Sequence, residues 1–356
     1  MNVQRGFSKG TLYKQSGREL CFIDSPFYGQ KESFPCSIAI IFQAMKILSL
    51  LLLILLCFGC NQKPAPEDKI ENNGPTIKAV SIDSAALEFP YDIMNADTTY
   101  ILPATLKELS GMEHIGNSLV ACIQDENGIL YMFNVAEGKL VREIHWGEDG
   151  DYEGVAGTDS ALYILESGGE LFRITNFNTE ETPEVAKWNT GLDNCDAEGL
   201  CLLPDRSSLL VACKVGAYGV RQIWSFDLET HVLAKKPYLE IHQEVLEENL
   251  LDSGLDKISL GMRKLLDAQG ESGILAPSGL AVHPYTKDLY ILSSQSKLMA
   301  IIGPSGQVKH IEELPVSLFL QPESITFLPN GDMLIGNEGQ GGDPSIMLFK
   351  YNRENR

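Results

Sequence analysis

The repeating unit of this chain is clearest in Asp151-Tyr152-Glu153-Gly154-Val155-Ala156, which a short polar gap separates from the apolar run Ala161-Leu162-Tyr163-Ile164-Leu165. The same two-part pattern occurs four more times. Its first half returns as Leu109-Ser110-Gly111-Met112, Ala197-Glu198-Gly199-Leu200, Pro277-Ser278-Gly279-Leu280 and Pro322-Glu323-Ser324-Ile325. Five copies of one unit therefore occupy most of the chain.

The spacing of the copies predicts an all-β fold. Successive anchor residues are separated by 43, 45, 80 and 45 positions; they are Ser110, Glu153, Glu198, Ser278 and Glu323. A period of about 40 to 45 residues with several short strands per unit is typical of a β-propeller blade. The sequence therefore predicts a propeller domain over residues 87–356 with five motif-bearing blades, six being the alternative.

The interval of 80 residues contains an insertion. Within residues 240–270 the apolar residues recur at three- and four-residue steps and are interrupted at Ser253-Gly254, which predicts two short amphipathic helices. A degenerate sixth blade could also lie in this interval. The last unit ends after its third strand, so we expect residues 87–102 to supply its outer strand and close the ring.

Residues 45–60 resemble a bacterial lipoprotein signal. Lys46 precedes the apolar run Ile47–Phe58, and Gly59 precedes Cys60, the residue that would be lipidated. The alternative is an uncleaved membrane helix over residues 38–58. We expect residues 45–60 to be the signal, 61–86 a flexible tether and 1–44 a non-native or disordered leader.

Charge excludes one class of partner. The formal net charge is −20, and residues 1–60 hold six of the cations against three of the acids, so the remainder of the chain carries −23. Such a surface repels phosphate backbones and anionic headgroups, which argues against nucleic-acid binding. Cations are the natural partners.

Four cysteines follow Cys60, at 122, 195, 201 and 213, and no pair has the spacing of a metal site. Cys122 and Cys213 both end a Leu-Val-Ala-Cys sequence typical of a buried strand. We expect buried thiols, although Cys201 and Cys213 flank a hairpin and would be close enough to pair. An exported protein meets an oxidising environment that permits disulfides.

The ordered motifs Glu-Leu-Ser-Gly-Met, Tyr-Glu-Gly-Val-Ala, Ala-Glu-Gly-Leu-Cys, Pro-Ser-Gly-Leu-Ala and Pro-Glu-Ser-Ile-Thr resemble the SdiA-regulated protein family over residues 102–351. The resemblance implies an exported bacterial propeller lipoprotein. It does not imply an activity.

The anchor acids form the first candidate site. If the anchor strand is the innermost one, Glu153, Glu198 and Glu323 converge on one axis, where three carboxylates require a cation or bound protons. Oxygen ligands without thiol or imidazole suit calcium. The alternative is that each acid caps loop amides of the next blade and binds nothing.

A second set follows the aliphatic strands at a similar offset and predicts a neighbouring ring: Asp125, Glu126, Glu166, Lys214, Ser294, Asn337 and Glu338. The histidines share no repeat position, and no nucleophile elbow, P-loop or dinucleotide fingerprint occurs. We therefore expect a module attached to the bacterial cell envelope, in the outer membrane, by its N-terminal lipid. It would hold calcium and bind a small-molecule or protein ligand. The alternative is a metal-dependent hydrolase of esters, lactones or phosphoesters.

Overall fold

The computed structural model describes residues 13–15, 18–23, 32–35, 76–79, 89–192, 195–215, 219–252 and 274–352. The chain divides into two compact units, Met1–Lys69 and Ile70–Arg356. In the first unit, β1 (Tyr13–Gln15), β2 (Arg18–Ile23) and β3 (Glu32–Pro35) form an antiparallel sheet. The predicted signal at 45–60 and all of the predicted tether except 76–79 lie outside the described residues.

The second unit begins with two short strands, β4 (Ile77–Lys78) and β5 (Thr98–Ile101), and a 3-10 turn at Ala104–Leu106. Five sheets follow, each antiparallel between consecutive strands. The first two blades contain β6 (Leu109–Gly116), β7 (Leu119–Gln124), β8 (Ile129–Asn134), β9 (Lys139–His145), β10 (Tyr152–Gly157), β11 (Leu162–Glu166), β12 (Glu170–Thr175) and β13 (Glu184–Asn189).

The third blade contains β14 (Ala197–Leu202), β15 (Ser208–Cys213), β16 (Val220–Asp227), β17 (Val232–Leu233) and β18 (Leu239–His242). The fourth and fifth contain β19 (Gly279–Val282), β20 (Leu289–Ser293), β21 (Leu298–Ile302), β22 (Val308–Glu313), β23 (Pro322–Phe327), β24 (Met333–Asn337) and β25 (Ser345–Phe349). The predicted five-bladed propeller is confirmed.

The position of the core explains why polar and apolar residues do not alternate along the aliphatic strands. Five apolar clusters lie between the five pairs of neighbouring blades, so the middle strands are covered on both faces. All six residues of β15 are buried, whereas the outer strands β9 and β13 are mostly exposed. A ring of such clusters makes each blade depend on both of its neighbours.

The ring closes between the two ends of the domain, as predicted. β5 pairs antiparallel with β25, and Thr99 lies opposite Met347. Tyr100 donates from its hydroxyl to the carbonyl of Val135 in the first blade, at 2.8 Å. The strand from the N-terminal side therefore joins the fifth blade to the first.

The predicted insertion is helical where the structure describes it. Helix α1 (Gln243–Asp252) packs Leu246 and Leu250, each 1% exposed, into the cluster between the third and fourth blades. The second predicted helix falls in residues 253–273, outside the described residues. The sequence did not predict β4, which pairs parallel with β18 and widens the third blade. Within the described ranges, no helix has the length and apolarity needed to cross a membrane.

Candidate functional site

The five innermost strands, β6, β10, β14, β19 and β23, surround a narrow axial channel. All five anchor residues line it, namely Ser110, Glu153, Glu198, Ser278 and Glu323. The cavity between them has room for about one water molecule. The anchor strands are thus innermost, as predicted, and the three predicted metal residues Glu153, Glu198 and Glu323 share one axis. Whether they bind a metal stays a prediction.

Glycine after the anchor residue allows this close approach. A Cβ on Gly154 would lie 2.7 Å from the Cβ of Leu200 and 3.0 Å from the carbonyl oxygen of Glu198, both in the next blade. A Cβ on Gly279 would lie 2.8 Å from the carbonyl oxygen of Glu323. A side chain at either position would force neighbouring inner strands apart and widen the channel.

Local backbone irregularities aim the acids at the axis. The pairing register shifts between Tyr152 and Gly154, between Ala197 and Gly199, and between Pro322 and Ser324, so each anchor glutamate is the extra residue of a β-bulge. A bulge re-aims a side chain that strict alternation would send elsewhere. The repeated acid-glycine or acid-serine step in the sequence is therefore a repeated bulge.

The two serine anchors have a different, structural role. Ser110 donates from its hydroxyl to the carbonyl of Tyr152 at 2.6 Å, and Ser278 donates to the carbonyl of Pro322 at 2.9 Å. Each bond links one blade to the next. No backbone amide in the described part of the chain donates to the side chain of Glu153, Glu198 or Glu323, so the contacts of these acids do not match the capping alternative.

We call the end of the channel that carries Glu153, Glu198 and Glu323 the mouth. A lysine supplies a cation there. The Nζ of Lys214 lies 2.6 Å from Oε1 of Glu198, with side chains that are 37% and 7% exposed respectively. Lys214 follows β15 directly and belongs to the second set that the sequence predicted. Burial raises the pKa of Glu198 to about 7 even though Lys214 opposes the shift. The same carboxylate raises the pKa of Lys214.

Glu153 has the more perturbed carboxyl. Burial, followed by the charge of Glu198, raises its pKa to about 9. Glu153 therefore holds a proton at neutral pH, and the mouth avoids three adjacent negative charges by protonation and by an ion pair to Lys214.

The expectation that all four of these cysteines are buried thiols is wrong for two of them. Cys195 and Cys213 form a disulfide with a Cα–Cα distance of 4.9 Å, whereas Cys122 and Cys201 are buried free thiols. Cys195 lies just before β14 and Cys213 ends β15, so their Cα atoms meet across a pair of adjacent strands. The disulfide joins the two segments that carry Glu198 and Lys214.

The second predicted set divides into two groups. Asp125 and Glu338 lie near the mouth; burial raises their pKa values to about 6 and about 8, with Glu108 a further contributor in both cases. Gln321 donates to Oε2 of Glu338 at 2.8 Å. One buried oxygen of Asp125 and both polar atoms of Asn337 have no hydrogen-bond partner.

Glu126 and Glu166 lie elsewhere. Glu126 is exposed in the turn after Asp125. Glu166 is the last residue of β11, one position earlier than Lys214 and Glu338 in their repeats, and strand alternation sends it to the side of Glu170 and Lys187. The sequence offsets were similar, but a one-residue difference reverses the direction of a strand side chain.

Sequence reasoning missed Lys297 and Glu113. Lys297 lies in the turn between β20 and β21 and interacts electrostatically with Glu323 and Glu338. Glu113 lies further along β6 and accepts a hydrogen bond from Thr326 at 3.2 Å, and burial raises its pKa to about 8. The equivalent positions of the other blades carry neither an acid nor an amine, so the repeat pattern gave no signal for these two residues.

The fit of a metal ion to these residues is poor. No group of three or more His, Cys, Asp or Glu side chains among the described residues is arranged to hold one. The Lys214 ammonium also occupies the cation position beside Glu198. Calcium would have to displace that lysine and the Glu153 proton.

No family model matches the chain, and no curated protein matches it. The glutaminyl cyclase of Myxococcus xanthus is similar in structure at 12% identity and a TM-score of 0.49, covering 78% of this chain and 99% of that one. A chain of the nidogen–laminin complex has 12% identity and a TM-score of 0.43, with 72% and 80% covered. Virginiamycin B lyase from Staphylococcus aureus has 14% identity and a TM-score of 0.38, with 72% and 75% covered. These likenesses concern the fold alone.

Proposed function

We propose that this protein is a propeller module of the bacterial cell envelope, lipid-anchored through Cys60 in the outer membrane, that binds a small ligand at the mouth. The observation that carries the proposal is the set of anchor acids. Glu153, Glu198 and Glu323 line the axis without any backbone donor from the described residues, and apart from the Lys214 bond to Glu198 their hydrogen-bonding capacity is left for a ligand. Shielded carboxyl groups without such donors lower stability, a cost that a binding role would explain.

With two of the three anchor acids neutralised, the mouth accepts a neutral polar ligand, or a cation that displaces Lys214 and the Glu153 proton. Lys214 neutralises Glu198, and the proton on Glu153 neutralises a second carboxyl. A nucleic acid would be repelled by the strongly negative net charge of the chain. Calcium is the specific cation proposed, in competition with Lys214.

Calcium binding is tested by thermal melting of the purified full-length protein in calcium and in chelator. Calcium should raise the melting temperature, and Lys214→Met should enlarge the increase because it removes the competing ammonium. Free calcium at a hundred times Kd would add about 2.7 kcal/mol. Lys139→Met is a matched control, since Lys139 is 63% exposed on an outer strand.

Two outcomes decide whether calcium is the ligand of the anchor acids. Loss of the calcium response in Glu153→Gln and Glu198→Gln would support the proposed ligands. Equal melting temperatures in calcium and chelator, for the parent and for Lys214→Met alike, would refute calcium as the ligand.

The proposed anchor is tested separately by fractionation. Cys60→Ser should move the protein from the outer-membrane fraction to the soluble envelope fraction, because a cysteine is required for lipidation. Retention of Cys60→Ser in the membrane would instead favour the uncleaved helix.

A metal-dependent hydrolase of esters, lactones or phosphoesters is the second candidate. The observation in its favour is the presence of carboxyl groups that remain protonated near neutral pH, chiefly Glu153 and Glu338, which are suited to proton donation. Turnover of any such substrate that is lost in Glu153→Gln would support this candidate. An inactive parent protein, with and without calcium, would leave the binding module.

A further inference from the structure

A cavity of about 160 Å³ lies between the third and fourth blades, away from the axial channel. Glu198 is near the start of β14 and Leu203, which lines the cavity, follows the end of that strand, so the cavity is at the far end of the blade from the mouth. Exposed residues of three turns form its rim, and its floor is apolar. Four floor residues are at most 6% exposed, namely Leu210, Leu239, Leu289 and Ile302.

The strand β4 closes this cavity on one side. Ile77 lines it, the amide of Ile77 donates to the carbonyl of Tyr238 at 3.0 Å, and the amide of Ala79 donates to the carbonyl of Glu240 at 2.8 Å. Gly306, with φ 89°, lies in the turn between β21 and β22, and a Cβ there would overlap Cγ2 of Ile77. The glycine therefore allows a turn of the fourth blade to contact β4, which is paired with the third blade.

The size and lining of the cavity fit a small apolar molecule. Protein interiors leave few voids larger than a water molecule, because unfilled space loses van der Waals contacts. An apolar cavity of about 150 Å³ is large enough to stay dry and to bind a molecule the size of benzene. A cavity of about 160 Å³ with an apolar floor has the dimensions of such a site.

Tyr238 brings a hydrogen-bond donor to this apolar lining. Its side chain packs against the cluster between the third and fourth blades, and its hydroxyl makes no hydrogen bond with any described residue. The other polar side chain of the described lining is that of Lys287, whose Nζ donates to the carbonyl of Pro284 at 2.6 Å. Burial raises the pKa of Tyr238, so its hydroxyl stays protonated and can donate. One such donor in an apolar cavity favours a ligand with one acceptor atom.

We propose that the cavity binds a small apolar ring compound that carries one hydrogen-bond acceptor, and that the Tyr238 hydroxyl donates to this acceptor. The site is additional to the mouth and shares none of the residues that line the axial channel. Its occupation does not require calcium.

The test compares two ring compounds of nearly equal size, acetophenone, which has a carbonyl acceptor, and ethylbenzene, which has none. Isothermal titration calorimetry measures the binding of each to the full-length protein, and both should bind saturably. Tyr238→Phe removes only the hydroxyl. It should weaken acetophenone binding about fivefold, the effect of one lost hydrogen bond, and leave ethylbenzene binding unchanged.

A matched pair of substitutions locates the site. Val282 lines the cavity, so Val282→Phe should fill it and abolish the binding of both compounds. Val232→Phe makes the same change on β17, where the valine is 55% exposed, and should leave both affinities unchanged. Hydrogen exchange gives a second measurement on the unaltered protein: acetophenone should slow exchange at the amides of Ile77 and Ala79, because Ile77 lies against the bound ring.

Three results would overturn the proposal. The first is no saturable binding of either compound to the unaltered protein, and the second is unchanged exchange at Ile77 and Ala79 on binding, whatever the folding of Val282→Phe. The third is equal acetophenone affinity in Tyr238→Phe and the unaltered protein. The calcium response of the mouth is measured in the same preparations without either compound, so the two sites can fail separately.

Discussion

Replacing Glu153 by glutamine should stabilise the protein, and should do so more as the pH rises. Glu153 lines the axis, and its pKa is raised to about 9 by burial and by Glu198. In the unfolded chain the same carboxyl has the ordinary value of 4.5. Folding near neutral pH therefore requires Glu153 to take up a proton, and glutamine has the same shape without that requirement.

The sign and size of this stability change follow from the difference in proton binding between the folded and unfolded states. Between pH 4.5 and about 9 the folded state binds more protons at Glu153 than the unfolded state, so stability falls as the pH rises through this range. At a pH about 3 units above 4.5, proton uptake by Glu153 lowers the free energy of unfolding by about 4 kcal/mol at most. Solvent at the mouth reduces that value, and we expect a gain of about 2 kcal/mol in Glu153→Gln.

The measurement is the free energy of unfolding from urea denaturation at a series of pH values, in chelator. The parent should lose stability with rising pH, because the pKa values of Glu113, Glu198 and Glu338 are raised as well. Glu153→Gln should reduce the slope of the unfolding free energy against pH by up to about 1.4 kcal/mol per pH unit, the value for one proton. Glu180→Gln, at an exposed position, is the matched control and should match the parent.

Two results would refute this reasoning. A parallel pH dependence in parent and Glu153→Gln would show that Glu153 is ionised in the folded protein. A variant less stable than the parent at alkaline pH would show that the charge of Glu153 is needed, which favours a bound cation. Repeating the series in calcium distinguishes these cases, because a bound ion would expel the proton and flatten the parent curve.

Two further predictions concern the fold. Deleting Leu87–Leu102 removes β5, leaves β25 as an open edge and should abolish or sharply lower the cooperative thermal transition; a native melting temperature in the deletion would contradict ring closure. Replacing both Cys195 and Cys213 by alanine should cost about 3 kcal/mol, the value for a loop of this length, and reductant should then have no further effect on unfolding; a double variant as stable as the parent would show that the disulfide does not form.

The architecture was predictable because its signals are local and repeated. Each blade places an anchor strand before an aliphatic strand, so the 45-residue period gave the blade count, and the missing fourth strand after β25 gave the closure. The helical period of residues 240–270 likewise predicted α1. These inferences depend only on how often a pattern recurs, and they do not require knowledge of any single contact.

The arrangement of the site could not be predicted in the same way, because it depends on features that do not recur at a regular interval in the sequence. The β-bulges at Glu153, Glu198 and Glu323 were not visible in the residue letters, although they explain why these acids meet. The one-residue difference between Glu166 and Lys214 reversed the side-chain direction and could be judged only once the strand ends were known. The pairing of Cys195 with Cys213 depended on how two adjacent strands align.

The same geometry gives the mouth a polarity that a symmetric ring would lack. Blades three and four contribute the cations Lys214 and Lys297, whereas Asp125 and Glu338, from blades one and five, lie with Glu108. The serine anchors in blades one and four link neighbouring blades and leave the axis to three acids. A ligand entering the mouth therefore meets the Lys214 ammonium on one side and, near neutral pH, the protonated carboxyl of Glu338 on the other.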